Sequence, residues 1–462
     1  MKSRLVRSFL YYLFSGLGIS ALALVNHYPL VYADSGTYIA NMFSLVQNDD
    51  RPIGYALIMR AVTWQGTLWT MVVFQGMLAS WLLMLLCRVV ITEAGRWVRV
   101  HLVLLTVLVL CSSLPWYSAQ IMADHFTPLV LIIVFLLFHA RSLGPWREGA
   151  LWAILYFALA THNAHYPMAA ALSAILLFGG WLRKVPAPRV FWWRWAGLNV
   201  VIGSSALMIM LFNLVDHGHL RLSNAGNVFL AGRLCEGNIM ADYLAEVCPA
   251  PNNPLCDCQD DLPGDAGHML WSANGLPSKL GITIGEADSL LAPVVSDVLA
   301  RREYVLRYFR SAAVSTLVQL FQWDVGAGLD PYMEGSTPYY NVEKRLPAET
   351  YSYRNARQTW GFWNDLDATN RRVAITLVLS ILILAFNQLN RGEGTHSLMG
   401  PLIAWVLVWL VLNAAITSSL SVVDPRLQSR VLWLLTMAAS LVLAGQPSFR
   451  GFFRLGMGRT PE

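Results

Sequence analysis

The chain has 462 residues, of which 56% are hydrophobic and 13% charged, with a mean hydropathy of +0.47. Soluble globular chains carry about a quarter charged residues, so this balance excludes an ordinary soluble domain and points to a bilayer. The net charge of +5 comes from basic residues dispersed among apolar stretches, and no nucleic-acid partner is expected. Eighteen Trp fit the same setting, because indole rings favour the membrane interface.

Apolar stretches suited to a ~30 Å hydrocarbon core lie near 8–27, 68–91, 100–117, 126–140, 150–161, 167–182, 196–215, 373–389, 398–419 and 430–446. Some are short or broken by His, Asn or Pro, and the expected number is about ten. Lys2, Arg4 and Arg7 before the first stretch resemble the start of a signal peptide, but Asn26-His27-Tyr28-Pro29 is a poor cleavage site. The stretch is therefore expected to be a retained helix. With the N-terminus inside, the inner span ends carry the basic residues from Arg88, Arg96 and Arg99 to Arg450, Arg454 and Arg459. The short outer loops keep only Arg51, Arg60, Arg426 and Arg430. This asymmetry places both termini in the cytoplasm and segment 216–371 outside a bacterial inner membrane, in the periplasm.

The expected organisation is an N-terminal transmembrane block over 1–215, a periplasmic domain over 216–371 and a C-terminal transmembrane block over 372–462. Residues 28–67 form a first external loop too long for a turn. Its run from Ile53 to Val62 is apolar but too short to span, which predicts an interfacial helix. Within the long segment, a Pro-, Asn- and Cys-rich loop over 249–266 precedes a helical stretch near 286–322. There Arg301, Arg302, Arg307 and Arg310 alternate with Val305, Leu306, Tyr308 and Phe309. Such a helix either rests on anionic headgroups or packs its solvated face on its own domain.

Cys87 and Cys111 fall within spans and read as packing residues, whereas Cys235, Cys248, Cys256 and Cys258 share the external segment. An even set in an oxidising compartment predicts two disulfides with three connectivities. Cys256–Cys258 is the least favourable pair, because so short a separation strains the bridge. A zinc site is the alternative, although the paired Cys-x-x-Cys spacing is absent.

Ionisable groups at membrane depth or at span ends are expensive and are functional candidates. The first loop carries Asp34-Ser35-Gly36-Thr37-Tyr38 and then Asp49-Asp50-Arg51-Pro52-Ile53-Gly54-Tyr55. An acidic residue just outside the first helix can deprotonate an acceptor, and an arginine a short loop later can grip a phosphate. A helix cap at Asp34 in an ordinary polar loop is the plainer alternative.

This pattern resembles the type C glycosyltransferases, especially the branch of the lipid A aminoarabinose transferases and protein O-mannosyltransferases. The resemblance rests on Asp-x-x-x-Tyr after the first span, then a basic residue, Pro and Gly-Tyr opening a juxtamembrane helix. It implies an active-site role for Asp34 and donor-phosphate contacts from Arg51, with Tyr38 beside them. A second feature of the family is an acidic residue at the outer end of span four, here Asp124 in Met122-Ala123-Asp124-His125. It is suited to acid/base work or metal binding, or else to capping the following helix. A third is the last external loop, Asp424-Pro425-Arg426-Leu427-Gln428-Ser429-Arg430. Here Arg426 and Arg430 are expected on a phosphate, or in an ion pair with Asp424.

The resemblance covers the first six or seven spans and three short loops, but not 235–331. Ser35 stands where the family often has a second acid. That departure leaves metal dependence open, with a divalent cation as the candidate cofactor.

Tyr55, His125, His162 and His165 are further candidates for contacting substrate. His162 and His165, one helical turn apart, have zinc-ligand spacing without a companion. Glu236, Asp257, Asp260, Asp261 and Asp265 form either a calcium site or a solvated loop, and Asp324, Asp330 and Tyr332 either frame an acceptor or belong to a Gly-rich turn. No Walker A or dinucleotide fingerprint is present.

The expectation is thus an all-α polytopic membrane protein of the type C architecture with a mainly helical, disulfide-containing periplasmic domain. It would transfer a sugar, with inversion, from a polyprenyl-phosphate donor to a periplasmic glycan, lipid or protein, with Asp34 as base. The alternatives are a polymerase or ligase acting on undecaprenyl-diphosphate glycans, or a transporter or flippase of lipid-linked sugar.

Overall fold

A computed structural model describes residues 2–91, 93, 95–140, 143–181, 188–248, 255–257, 262–272, 274–389 and 398–446. Regular structure among them is helical, with one isolated parallel bridge between Leu30 and Gln120. Five helices are long and apolar enough to cross a membrane: Leu68–Val90, Arg189–His217, Asp367–Leu389, Met399–Leu420 and Pro425–Gly445. Leu5–Ile19, Trp97–Cys111 and Ala123–His139 are apolar but shorter. The stretches expected at 150–161 and 167–182 fold as helices Pro145–Ala160 and His165–Trp181, of 16 and 17 residues. At 1.5 Å per residue these reach about 25 Å, short of a full untilted crossing.

Two expected spans are interrupted, each for a local reason. The first stops at Ile19 and resumes over Ala21–Asn26. Between them the Ser20 hydroxyl bonds to the carbonyls of Val72 and Ser118 on neighbouring segments. The third ends at Cys111, and a short helix over Leu114–Ser118 follows with Pro115 in its first turn, where the missing N–H costs nothing.

Helix Pro425–Gly445 is the central one, with 89% of its apolar window buried, against 22% for Arg189–His217 and 17% for Asp367–Leu389. The last two leave long apolar faces outward, as lipid-facing helices do. Close packing needs small residues where lipid offers no hydrophobic drive between helices. A Cβ on Gly76 would come within 2.2 Å of the Gly16 carbonyl, so helices Lys2–Ile19 and Leu68–Val90 cross at these glycines.

The first loop holds helices Ser35–Ser44 and Gly54–Thr63. The second bears out the helix expected there and lies on the end of Pro145–Ala160, where a Cβ on Gly54 would strike the Ala160 carbonyl.

Segment 216–371 packs in two parts. Residues such as Val228, Leu234, Leu244, Leu291 and Val295 form their own small core. Val325, Leu329, Tyr339, Tyr353 and Trp363 instead join the main core under the first loop. Cys248 and Cys256 form a disulfide. The expected pair of bridges is corrected at Cys235, which is a free thiol buried in the small core at the end of helix Gly226–Cys235. It packs there as an apolar group, while Cys258 lies outside the described residues. The stretch expected over 286–322 is two helices, Ile284–Ala300 and Arg302–Leu320, broken at an extended Arg301.

Candidate active site

The first loop is clamped before it reaches Asp34. Leu30 donates to the Ala119 carbonyl and accepts from Ile121, each at 2.9 Å, which lays this strand-like stretch beside the loop carrying Asp124. The Gln358 side chain takes the Val31 N–H at 3.0 Å and returns a bond to its carbonyl at 2.7 Å. Ser35 accepts from the Tyr32 N–H and donates to the Ile121 carbonyl, both at 2.8 Å. The residue in the place of a second acid thus fixes backbone. Asp34 itself makes no capping bond.

Its carboxylate instead faces two guanidinium groups. Arg51 Nη2 donates to Asp34 Oδ1 at 2.8 Å, and Arg51 Nη1 lies 3.1 Å from Asp50 Oδ2. Arg426 Nη1 sits 3.7 Å from Asp34 Oδ2 and 3.0 Å from Asp124 Oδ2. Behind it, Arg430 Nη1 is 2.5 Å from Asp124 Oδ1, and its Nη2 donates to Asn413 Oδ1 at 3.0 Å. Aromatic faces complete the cradle, with Tyr32 4.2 Å from the Arg426 guanidinium and Trp271 5.6 Å from that of Arg51. Asp124 is therefore an ion-pair anchor, not a helix cap; it lies inside the short turn Ala123–His125, and Met122 and His125 hold the cap positions. Asp424 pairs with neither arginine side chain; it caps helix Pro425–Gly445 by accepting the Arg426 N–H at 2.7 Å.

Asp34, Arg51 and Arg426 line a cavity of about 1100 Å³. Asp34, Tyr38, Asp50, Arg51, His162 and Arg426 contribute polar lining, and Pro167, Ile416, Leu420 and Leu427 apolar lining. Glu236, Asp265 and Trp271 close it from the small-core segment. Asp124 and Arg430 are fully buried behind this surface. The Arg51 guanidinium, at 18% side-chain exposure, is reachable from the cavity.

Three other candidates do not reach it. Tyr55 bonds Gln75 at 2.8 Å and packs its ring 4.8 Å from that of Tyr38. His125 bonds Ser118 at 3.2 Å, and His165 uses both ring nitrogens, on Thr127 and the Ala158 carbonyl, each at 2.8 Å. His165 therefore has no nitrogen left to share a zinc with His162. Among the described residues no three His, Cys, Asp or Glu side chains group to hold a metal, and both oxygens of Asp124 are occupied by arginines.

Burial opposes the charge on Arg51, but the carboxylates of Asp34 and Asp50 more than offset it and raise its pKa. Burial pushes Asp50 up against the opposing pull of Arg51. Burial first, and Arg430 next, hold His162 well below the usual imidazole range. Its Nδ1 accepts the Ala164 N–H at 3.1 Å, which puts the proton of the neutral ring on Nε2.

The remaining acidic candidates are structural. Glu236 pairs with Arg233, and Asp265 caps helix Ala266–Trp271 and meets His268 at 2.7 Å. Asp257 is exposed, and Asp260 and Asp261 lie outside the described residues. Asp324 and Asp330 are exposed on a Gly-rich turn, whose Gly328 is pressed under the Tyr32 ring. Tyr332 closes that turn by donating to the Gly328 carbonyl at 2.9 Å. Asp49 accepts the Gly285 N–H at 3.0 Å, tying the first loop to the small-core segment.

Tyr32 and Trp271 join the site although no motif in the sequence singles them out. Tyr32 lies two residues before Asp34; Trp271 lies in a segment that no motif covers. Comparison of the chain with protein-family models, with characterised proteins and with solved structures finds no match.

Proposed function

We propose that this chain is an inverting glycosyltransferase of the inner membrane, resembling the type C enzymes, that moves a sugar from polyprenyl phosphate to a periplasmic acceptor. One observation carries the reading: Asp34 shares its carboxylate between Arg51 and Arg426 on the wall of a large cavity whose lining also includes apolar side chains. A lipid-linked sugar phosphate combines the same two kinds of group. Its isoprenoid tail follows Ile416, Leu420 and Leu427, and its phosphate takes the planar forks of Arg51 and Arg426. In this reading the chain crosses the bilayer about ten times, with the shorter helices included, both termini are cytoplasmic and the cavity opens to the periplasm.

The arginines give donor binding a consequence for the base. When the phosphate occupies the two guanidinium groups, Asp34 loses its partners and turns to the acceptor. The acceptor oxygen or nitrogen attacks the anomeric carbon as the bond from that carbon to the phosphate oxygen breaks. Asp34 takes the acceptor proton, and polyprenyl phosphate leaves as an anion held by Arg51 and Arg426. One displacement without a covalent sugar intermediate inverts the anomeric centre. Asp124 and Arg430 act as positioning residues for Arg426.

The test is transfer from a radiolabelled polyprenyl-phosphate sugar by purified protein in proteoliposomes. Asp34→Asn is expected to reduce transfer by 10²-fold or more, in line with the loss of a general base, while donor binding survives. Full activity in that variant would end the proposal. Dependence on Arg426 and His162 with indifference to Asp34 would favour a diphosphate-glycan polymerase or ligase. Movement of lipid-linked sugar without bond formation would mark a transporter.

A further inference from the structure

The arginine-bearing helix Arg302–Leu320 divides its charges between two tasks. Arg301, just before it, pairs with Glu246 at 2.6 Å and Asp297 at 3.0 Å, and Arg307 meets Asp242 at 2.7 Å. Those contacts fasten it to its own segment. Its buried side, with Ala312, Ser315 and Gln319, packs on the outer end of helix Met399–Leu420. There Tyr308 donates to the Ser419 carbonyl at 2.8 Å. The Gln319 amide exchanges bonds of 2.8 and 2.9 Å with the backbone of Asp424.

The opposite side is exposed, with Arg302, Glu303 and Arg310 in its first half and apolar residues filling its second half. Leu306, Phe309, Leu317 and Phe321 are 59%, 64%, 61% and 70% exposed. Val314, Leu317, Val318 and Phe321, at positions i, i+3, i+4 and i+7, form one stripe, and Leu306 and Phe309 stand exposed on the far side of Arg310. A helix facing water does not hold such a stripe, and contiguous apolar surface marks an interaction site. Two observations name the occupant. The stripe lies beside the outer end of a membrane-spanning helix whose own Leu407, Val411 and Leu420 are exposed, so it continues a lipid-facing surface. Arg302 and Arg310 stand exposed on the same helix.

We propose that helix Arg302–Leu320 is seated in the outer leaflet, with its apolar stripe among acyl chains and Arg302 and Arg310 on the phosphates of anionic phospholipid. Through Gln319 and Asp424 this lipid-seated helix holds the cap of the helix that carries Arg426 and Arg430. The inference rests on the membrane location of the chain and is independent of the transferred group.

The test uses the full chain in nanodiscs of phosphatidylcholine alone or mixed with phosphatidylglycerol. Spin labels are placed at Leu317→Cys, Phe321→Cys and, for comparison, Glu303→Cys. Cys87, Cys111, Cys235 and Cys258 are replaced by alanine and the Cys248–Cys256 disulfide is kept. Oxygen is expected to collide more often than a water-soluble nickel chelate with labels at 317 and 321, and the order to reverse at 303. In native mass spectra, retained phosphatidylglycerol is expected to fall roughly fivefold for each of Arg302→Glu and Arg310→Glu. Nickel access at 317 and 321 equal to that at 303 would overturn the proposal. Dipolar broadening between labels of two molecules would overturn it too, by assigning the stripe to a second copy of the chain. Unchanged lipid retention in the double variant would remove the anionic headgroup from it.

Discussion

Asp124 and Arg430 illustrate what a buried charge demands of its surroundings. Each is fully enclosed; Arg430 is balanced by Asp124, and Asp124 by Arg430 together with Arg426. Removing one partner of such a pair costs about 3–5 kcal/mol, since the remaining charge stays buried. Arg430→Met is therefore expected to lower stability by about that amount, read from thermal unfolding in detergent. Arg51→Met at the cavity mouth should cost far less, because Asp34 and Asp50 can then be hydrated. Equal losses for the two substitutions would contradict the burial assigned to Arg430.

His162 adds a pH dependence whose sign follows from its environment. Its imidazole is held neutral in the folded protein, whereas the unfolded chain takes up a proton below about pH 6.5. Stability is thus complete above that pH and declines as pH falls through it. His162→Gln should flatten part of this decline in melting curves, the other imidazoles accounting for the rest. A wild-type melting temperature unaffected by acidification would refute the assignment.

At the scale of the element, the crossing of helices Lys2–Ile19 and Leu68–Val90 depends on two glycines with no room for a methyl group. Gly76→Ala is expected to destabilise by about 1–3 kcal/mol through overpacking, whereas Gly18→Ala, where nothing lies within 4 Å, should be tolerated. Comparing folded yield and melting temperature of the two variants distinguishes contact from mere helix propensity. The same scale explains why the first and third expected spans came out broken. Hydropathy sums over a window, whereas Ser20 and Pro115 act at single turns: the Ser20 hydroxyl bonds to neighbouring segments, and Pro115 cannot bond back to Cys111 but fits the first turn of a new helix.

For the whole molecule, the small core around Val228, Leu244 and Leu291 stands apart from the main one and encloses Cys235. Alkylation under native conditions should leave Cys235 unmodified, and denaturation should expose it, as peptide mass spectra would record. Rapid native labelling would mean that this core opens readily. The first loop links the two cores: Asp49 reaches Gly285 while Arg51, two residues on, meets Asp34 and Trp271. The cavity closes from both sides through this loop.

Much of this was legible in the residues taken in order. The apolar stretches follow from the cost of burying charge in hydrocarbon, which every residue meets locally. Asp34 and Arg51 were found because 17 positions and one loop separate them. The disulfide partners of Cys248 could not be read that way, nor could the meeting of Asp124 with Arg430, 306 positions apart. Arg426 and Arg430 were expected on a phosphate or on Asp424; in the structure, Asp124 takes both side chains. Sequence fixes which groups must escape lipid, through local hydropathy. Which opposite charge each one finds depends on how the helices cross, and that is settled by side-chain volumes such as those missing at Gly16, Gly54 and Gly76.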